Sequence, residues 1–399
     1  MSISRQACIS LIFVAAIALA QQAADTASPA QSQPASTTNG PVLQQRPAPK
    51  PGSPQGRIQL DVIVTGKQGA PASGLDLKDF TLLDNKKAQN ILSFEPVDAT
   101  SQKADPPAQV ILLLDLVNAT FAQASVIESQ MVKFFQQNGG RLAYPTSIAI
   151  ASDQGLRFQP TPSTDGNHLA AQLNATLRTI GPAGARLDEV ARFQSSLKTL
   201  LAIADNQSKT PNRKILIWTG PGWPILVGSN YLPSSQDRKR YFDAIVEIST
   251  RLREAHIALY NISPMNPDKA GALTLAPPQP ILTPNAEAPL QTRARPILNA
   301  PTDGSSYKEF VRGVKSVHQA DSGDLSLQVI AIQSGGRVLD PSNDLASQIV
   351  QCVQDLGPFY RISFDPPQAE HPDDYHDLKI QIAKPGLTAR TNTGVYIQP

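Results

Sequence analysis

The sequence predicts an α/β fold: a doubly wound, mostly parallel sheet, with flanking β-strands forming a small β-sandwich-like unit. Three observations carry this. Continuous apolar runs such as "VILLLDLV" are typical of strands covered on both faces. These runs alternate with amphipathic helical stretches between residues 107 and 357, the order that builds a parallel sheet with helices on both sides. Residues 57–100 and 358–399 instead alternate apolar and polar residues with period two, the pattern of half-buried strands.

Along the chain, "MSISRQ" followed by "ACISLIFVAAIALA" reads as a signal peptide over residues 1–20, with Ala18, Leu19 and Ala20 before the expected cleavage point at Gln21. The expected location is secreted or periplasmic. Cys8 precedes the apolar run rather than closing it, so a lipoprotein arrangement is not met. Cleavage leaves Cys352 as the sole cysteine, with no internal disulfide possible. Residues 21–56, rich in Gln, Ala, Ser and Pro, bury too little to offset ordering entropy and read as a disordered linker.

In 57–100, "RIQLDVIVTG" places Ile58, Leu60, Val62 and Val64 on one face, and two further strands surround an Asp84-Asn85 turn. Then come the strand "VILLLDLV", a helix in "ASVIESQMVKFFQQN", and a hairpin turning at Asp153-Gln154-Gly155. Helices follow in "NHLAAQLNATLRTI" and "LDEVARFQSSLKTLLAIADN", and a strand in "RKILIWTG". A helix over "SQDRKRYFDAIVEISTRLREAH" leads to the strand "IALYNIS". The segment "GDLSLQVIAIQSGGRVL" reads as helix, Gly-Gly stop and strand, and "NDLASQIVQCVQDLG" as the last helix. Residues 264–304 hold nine prolines and form a surface insertion, disordered or a binding loop. The C-terminal segments "FYRISFDPP", "YHDLKIQIAK" and "LTARTNTGVYIQ" are strands, expected to pack with the N-terminal β unit so that each covers the other's apolar face.

The chain "VIVTGKQGAPASGLDLKDFTLLDNKKAQNILSF", with "VILLLDLVN", "QPTPSTDGNHL", "RKILIWTGPGWP", "SGGRVL", "GPFYRISFDPP" and "ARTNTGVYI" following in order, resembles the VWFA-related acidobacterial domain family. The resemblance covers about residues 57–399 and implies a von Willebrand factor A-type, Rossmann-like fold. Metal-binding A-type domains carry D-x-S-x-S after the first strand, a Thr from a second loop and an Asp after the central strand. A hard cation such as Mg²⁺ wants about six oxygens. Here Asp115 is present, but Val117 and Ala119 stand at the two serine positions, Ala185 near the Thr and Gly220 at the second Asp. No metal and no cofactor is therefore expected. Asp115 is expected to cap the following helix or bond loop amides.

The charge is nearly balanced, 35 Lys+Arg against 33 Asp+Glu, which demands no basic face for nucleic acid. No nucleophile elbow, phosphate loop, zinc-protease helix or paired C-x-x-C occurs, so no catalytic residue is assigned. In "HPDDYH", His371, Asp373, Asp374 and His376 are potential ligands, but a solvated turn is the favoured reading. The expected function is non-enzymatic, adhesion-like binding of a protein partner through Asp115–Thr120, Gly181–Arg186 and Gly220–Pro224. The candidate binding residues are Asp115, Asn118, Thr120, Gly220, Gly222 and Trp223. Trp223 either anchors a partner or folds back on the adjacent helix. The alternative function is an envelope scaffold whose β segments and Pro-rich loop carry the contacts.

Overall fold

Strand Gln109–Asp115, buried along its whole length, forms the middle of the largest sheet. The computed structural model describes residues 56–67, 69–97, 107–159, 161–180, 187–225, 233–265 and 307–399, all within Gly40–Pro399. The architecture is mixed α/β, with one parallel-containing sheet and two antiparallel sheets.

The N-terminal strands are β1 (Ile58–Thr65), β2 (Phe80–Asp84), β3 (Lys87–Gln89) and β4 (Ser93–Val97). The central segment supplies β5 (Gln109–Asp115), α1 (Phe121–Phe135), β6 (Arg141–Ser152), β7 (Gly155–Phe158), β8 (Ser163–Asp165), α2 (Gly166–Leu177) and α3 (Glu189–Gln207). It continues with β9 (Lys214–Thr219), α4 (Ser235–Glu254), β10 (Ile257–Ile262), α5 (Leu327–Gln333), β11 (Arg337–Val338) and α6 (Leu345–Gln354). The chain closes with β12 (Phe359–Phe364), β13 (Asp374–Ile382), β14 (Thr388–Arg390) and β15 (Gly394–Ile397).

The large sheet has the order β11-β10-β9-β5-β6-β7, with β8 also paired to β6. Strands β11, β10, β9, β5 and β6 run parallel; β7 and β8 are antiparallel to β6. Successive strand residues point to opposite faces. Ile111, Leu113, Leu216 and Trp218 pack with side chains of α3, α4 and α5. Val110, Leu112, Leu114, Ile215 and Ile217 pack with those of α1, α2 and α6. That two-sided cover is why "VILLLDLV" has no polar alternation.

The terminal segments share two four-stranded antiparallel sheets, ordered β14-β1-β12-β4 and β15-β13-β2-β3. Leu60 faces Ile362 across β1 and β12, and Leu82 faces Ile380 across β2 and β13. Both pairs enter one apolar core with Val64, Phe364 and Ile397.

Two local readings change. The β2–β3 turn centres on Asn85-Lys86, one residue later than expected, with positive φ at both positions (48° and 68°). Two successive left-handed residues are what a tight hairpin of matching twist requires. The segment "LTARTNTGVYIQ" is not one strand: β14 pairs with β1 and β15 with β13. Thr393 separates them, donating its amide to the Gln333 carbonyl and accepting from the Leu378 amide.

Candidate functional site: the C-terminal rim of the parallel sheet

The C-terminal edge of the parallel strands is where α/β sheets present their loops. Asp115, the last residue of β5, lies there fully buried. It sits two residues beyond Leu113 and so on the same face, beside Leu113's cross-strand partner Trp218.

Both carboxylate oxygens are occupied by N–H donors. Oδ1 accepts from the backbone amides of Val117 and Asn118, each at 3.0 Å, and from Asn118 Nδ2 at 3.2 Å. Oδ2 accepts from Asn118 Nδ2 and Trp218 Nε1, each at 2.9 Å. An ionised carboxylate has about four lone-pair sites, so this set saturates it. Burial pushes the carboxyl above its ordinary range, and the Asn118 and Trp218 donors oppose that push.

The neighbouring positions complete the packing. A Cβ at Gly220 would fall 2.8 Å from Asp115 Cβ and 3.2 Å from Oδ2. The backbone after β9 thus approaches too closely for any side chain at 220. The Gly220 carbonyl accepts from Asn261 Nδ2 at 3.0 Å, which ties the turn to β10. Gly222 has φ +80°, a conformation glycine adopts freely, and a Cβ there would press on Leu327 at 3.3 Å. The Asn118 amide also donates to Ser196 Oγ on α3 at 2.9 Å.

Trp223 does not present its ring to solvent. It is 2% exposed, donates Nε1–H to the Leu325 carbonyl at 2.9 Å, and meets Trp218 edge-on at a centroid distance of 5.1 Å. The role of surface anchor is therefore corrected: burying a large ring and satisfying its N–H outweighs exposing it. Asp115, Asn118, Gly220 and Gly222 are likewise buried. They shape the rim without offering side chains to a partner. Thr120 is exposed, but its hydroxyl caps α1 by accepting from the Gln123 amide, while Gln123 Oε1 accepts from the Thr120 amide. Helix α1 is thus capped by Thr120, and Asp115 bonds the loop amides. The Gly181–Arg186 loop, including Ala185, lies outside the described residues.

Two residues at this edge were not singled out from sequence. Phe121, the first residue of α1, is 68% exposed, and Met265, after β10, is 54% exposed. An aromatic residue immediately after an N-cap Thr was the available signal for Phe121, since that position starts a helix before its buried face is established. Trp218 was also missed as a donor, because "ILIWTG" reads only as a buried strand.

Elsewhere, "HPDDYH" is not a cluster of solvated ligands throughout. His376 is buried, with Nδ1 2.7 Å from Asp84 Oδ2 across β13 and β2. Among the described residues no group of three or more His, Cys, Asp or Glu is placed to hold a metal ion. Cys352 is buried, and its thiol is pushed up to about 12 by that burial, which removes nucleophilic character. No helix among the described residues is long and apolar enough to cross a membrane.

The fold and site thus define a mixed α/β protein whose sheet rim is closed over a buried aspartate. No family model matches the chain, and no curated protein matches it. Among solved structures it is similar to the human COPII-coat protein Sec24c, at 8% identity and TM-score 0.30, over 73% of this chain and 44% of that one. It is also similar to the manganese-loaded Plasmodium vivax TRAP protein, at 9% identity and TM-score 0.28, over 76% and 97% of the two chains. A third is a point mutant of the PilB minor pilin from Streptococcus sanguinis, at 10% identity and TM-score 0.32, over 75% and 88%. Likeness at this level leaves function to be read from the chain's own residues.

Proposed function

We propose that the chain is a non-enzymatic protein-interaction module, secreted or periplasmic, built on a doubly wound A-type domain over residues 107–357. Its rim meets a protein partner directly, without a bridging cation. The observation that carries this reading is the filled coordination sphere of Asp115: five N–H contacts from Val117, Asn118 and Trp218 take the lone pairs a cation would need. Gly220 adds to it, because the close approach to Asp115 leaves no room for a second carboxylate. The strand order, parallel with an antiparallel edge, supports the A-type reading.

The contact surface is reassigned from Trp223 to the exposed apolar residues at the same edge, Phe121 and Met265. Large exposed aromatic side chains are favoured anchors of protein contacts. The test is a cross-linking pull-down from native envelope, with and without chelator, comparing the natural chain with Phe121→Ala. Loss of partner in the variant and indifference to chelator support the reading. Chelator-sensitive recovery, or saturable Mg²⁺ or Mn²⁺ binding that Asp115→Ala abolishes, overturns it. The scaffold alternative places contacts on the β segments and the Pro-rich insertion, of which residues 266–304 lie outside the described residues.

A further inference from the structure

The 3₁₀ turn Ser322–Leu325 leads through Ser326 into α5 and packs against α4. It carries Asp324, an acid only 1% exposed. One carboxyl oxygen accepts from the Asp321 amide at 2.8 Å and closes a capping box. The other has no hydrogen-bond partner among the described residues. Beside it lies a cavity of about 10 Å³, walled by Ile245, Ile248 and Leu252 of α4 and by Leu325 and Ile330. That is close to the least space that holds one water molecule. A neutral carboxyl group tolerates such a pocket; a carboxylate with one amide and an apolar wall does not.

The next residue holds the rim. The Leu325 carbonyl accepts the Trp223 indole N–H at 2.9 Å, and a Cβ at Gly222 would fall 3.3 Å from Leu327 Cβ. The rim turn Gly220–Pro224 therefore rests on the same short piece of chain that buries the acid. Few charges face Asp324. The Asp321 amide and Arg312 favour the carboxylate, while the Asp321 charge opposes it. The Tyr396 phenol of β15 stays neutral, and α4 and α5 line the cavity with no charged side chain. An adjoining cavity of about 30 Å³ shares Leu252, Ser334 and Asn392 and is lined by half-buried Arg253, His256 and Asp61.

We propose that Asp324 is a pH-operated latch on the rim turn. As a neutral acid it keeps the 3₁₀ turn seated on α4 and Trp223 held. As a carboxylate it draws water into the wall, unseats the turn and loosens the Trp223 ring. Burial pushes the Asp324 carboxyl up to about 7, so the latch is closed in acid and opens as pH rises through neutrality. His256 is pushed below its ordinary 6.5 by its own burial and titrates on the acid side of Asp324. The consequence for a partner rests on the rim being the contact surface. The loosening itself is read without a partner, so the two fail separately.

The test is nuclear magnetic resonance of the full chain between about pH 5 and pH 9. Two tryptophans give two indole N–H signals, and the one in contact with Leu325 belongs to Trp223. That signal should move with a midpoint near 7, coincident with that of the Asp324 carboxyl carbon. Asp324→Asn should hold it at one position across the range. Coupling is reciprocal. Trp223→Phe, which removes the donor to Leu325, should therefore lower the Asp324 midpoint by about half a unit or more, roughly a threefold change in its ionisation constant. A Trp223 signal that stays fixed overturns the proposal, as does movement that persists in Asp324→Asn or an Asp324 midpoint that Trp223→Phe leaves unchanged. The natural chain decides alone if either variant fails to fold: midpoints more than about one unit apart overturn the proposal.

Discussion

Two buried aspartates, at different places in the fold, are held by opposite means. At the sheet rim, Asp115 is surrounded by neutral donors: two backbone amides, a carboxamide and an indole. Where the large sheet meets the antiparallel strands, Asp355 accepts from Arg390 Nη2 at 2.5 Å and the Tyr260 hydroxyl at 2.9 Å, with Arg337 Nη1 at 3.7 Å. Arg213 reaches the same turn, donating to the Asp355 carbonyl at 2.8 Å. The rim carboxylate is caged by dipoles from within the α/β segment. The second is bound by a cation on β14, and so joins segments far apart in the chain. Dipoles from neighbouring groups hold the rim carboxylate; an opposite charge holds the one at the seam between packed layers.

The largest effect expected is from Asp355→Ala. It leaves the Arg390 and Arg337 cations beside an emptied, buried position and the Tyr260 O–H without its acceptor. Loss of one partner of a buried pair costs about 3–5 kcal/mol, to be read from urea unfolding. Gly220→Asp tests the rim more sharply, because it places a second carboxylate beside Asp115. We expect a loss of about 2–3 kcal/mol from overpacking and like-charge contact with Asp115, and no gain of Mg²⁺ binding by calorimetry. A stable, Mg²⁺-binding variant would break the contrast between the two aspartates.

Trp218→Phe removes one donor to Asp115 while keeping most of the ring. A buried acceptor losing a donor costs about 1–3 kcal/mol, measurable as a lower denaturation midpoint. It should also move the Asp115 carboxyl further upward, since one opposing donor is gone.

A third buried acid sharpens the comparison through pH. Asp324 has one oxygen bonded by the Asp321 amide at 2.8 Å and the other without a partner among the described residues. Burial pushes it up to about 7. The folded protein therefore holds a proton that the unfolded chain releases near its ordinary value of 3.8. Its contribution is fully present below that value and is lost as pH rises through about 7. Between pH 5 and 8 the natural chain should lose about 3 kcal/mol through this group, and Asp324→Asn should flatten the profile. The smallest stability change belongs to Phe121→Ala, within about 0.5 kcal/mol because the ring is exposed. Its effect should fall on partner recovery.

How far the fold could be read from the chain follows from the range of the signals. Apolar runs and period-two alternation are local, so "VILLLDLV" and "RIQLDVIVTG" declared their strands. The apolar residues Val117 and Ala119 after Asp115 were equally local. The indole donor to Asp115 was not: Trp218 Nε1 reaches it only because β9 lies beside β5 in the register that pairs Leu113 with Trp218. The same limit explains Trp223, whose turn residues signal a loop but whose ring is buried with its N–H on the carbonyl of the distant Leu325.

The sequence by itself determined the alternation of strands and helices, the buried character of the central strands and the apolar residues Val117 and Ala119 beside Asp115. Only the tertiary structure decided which side chains face water and which donors meet each buried acid. Periodicity along a chain records which face of an element is apolar, while hydrogen bonds between elements depend on registers and packing that no single segment encodes.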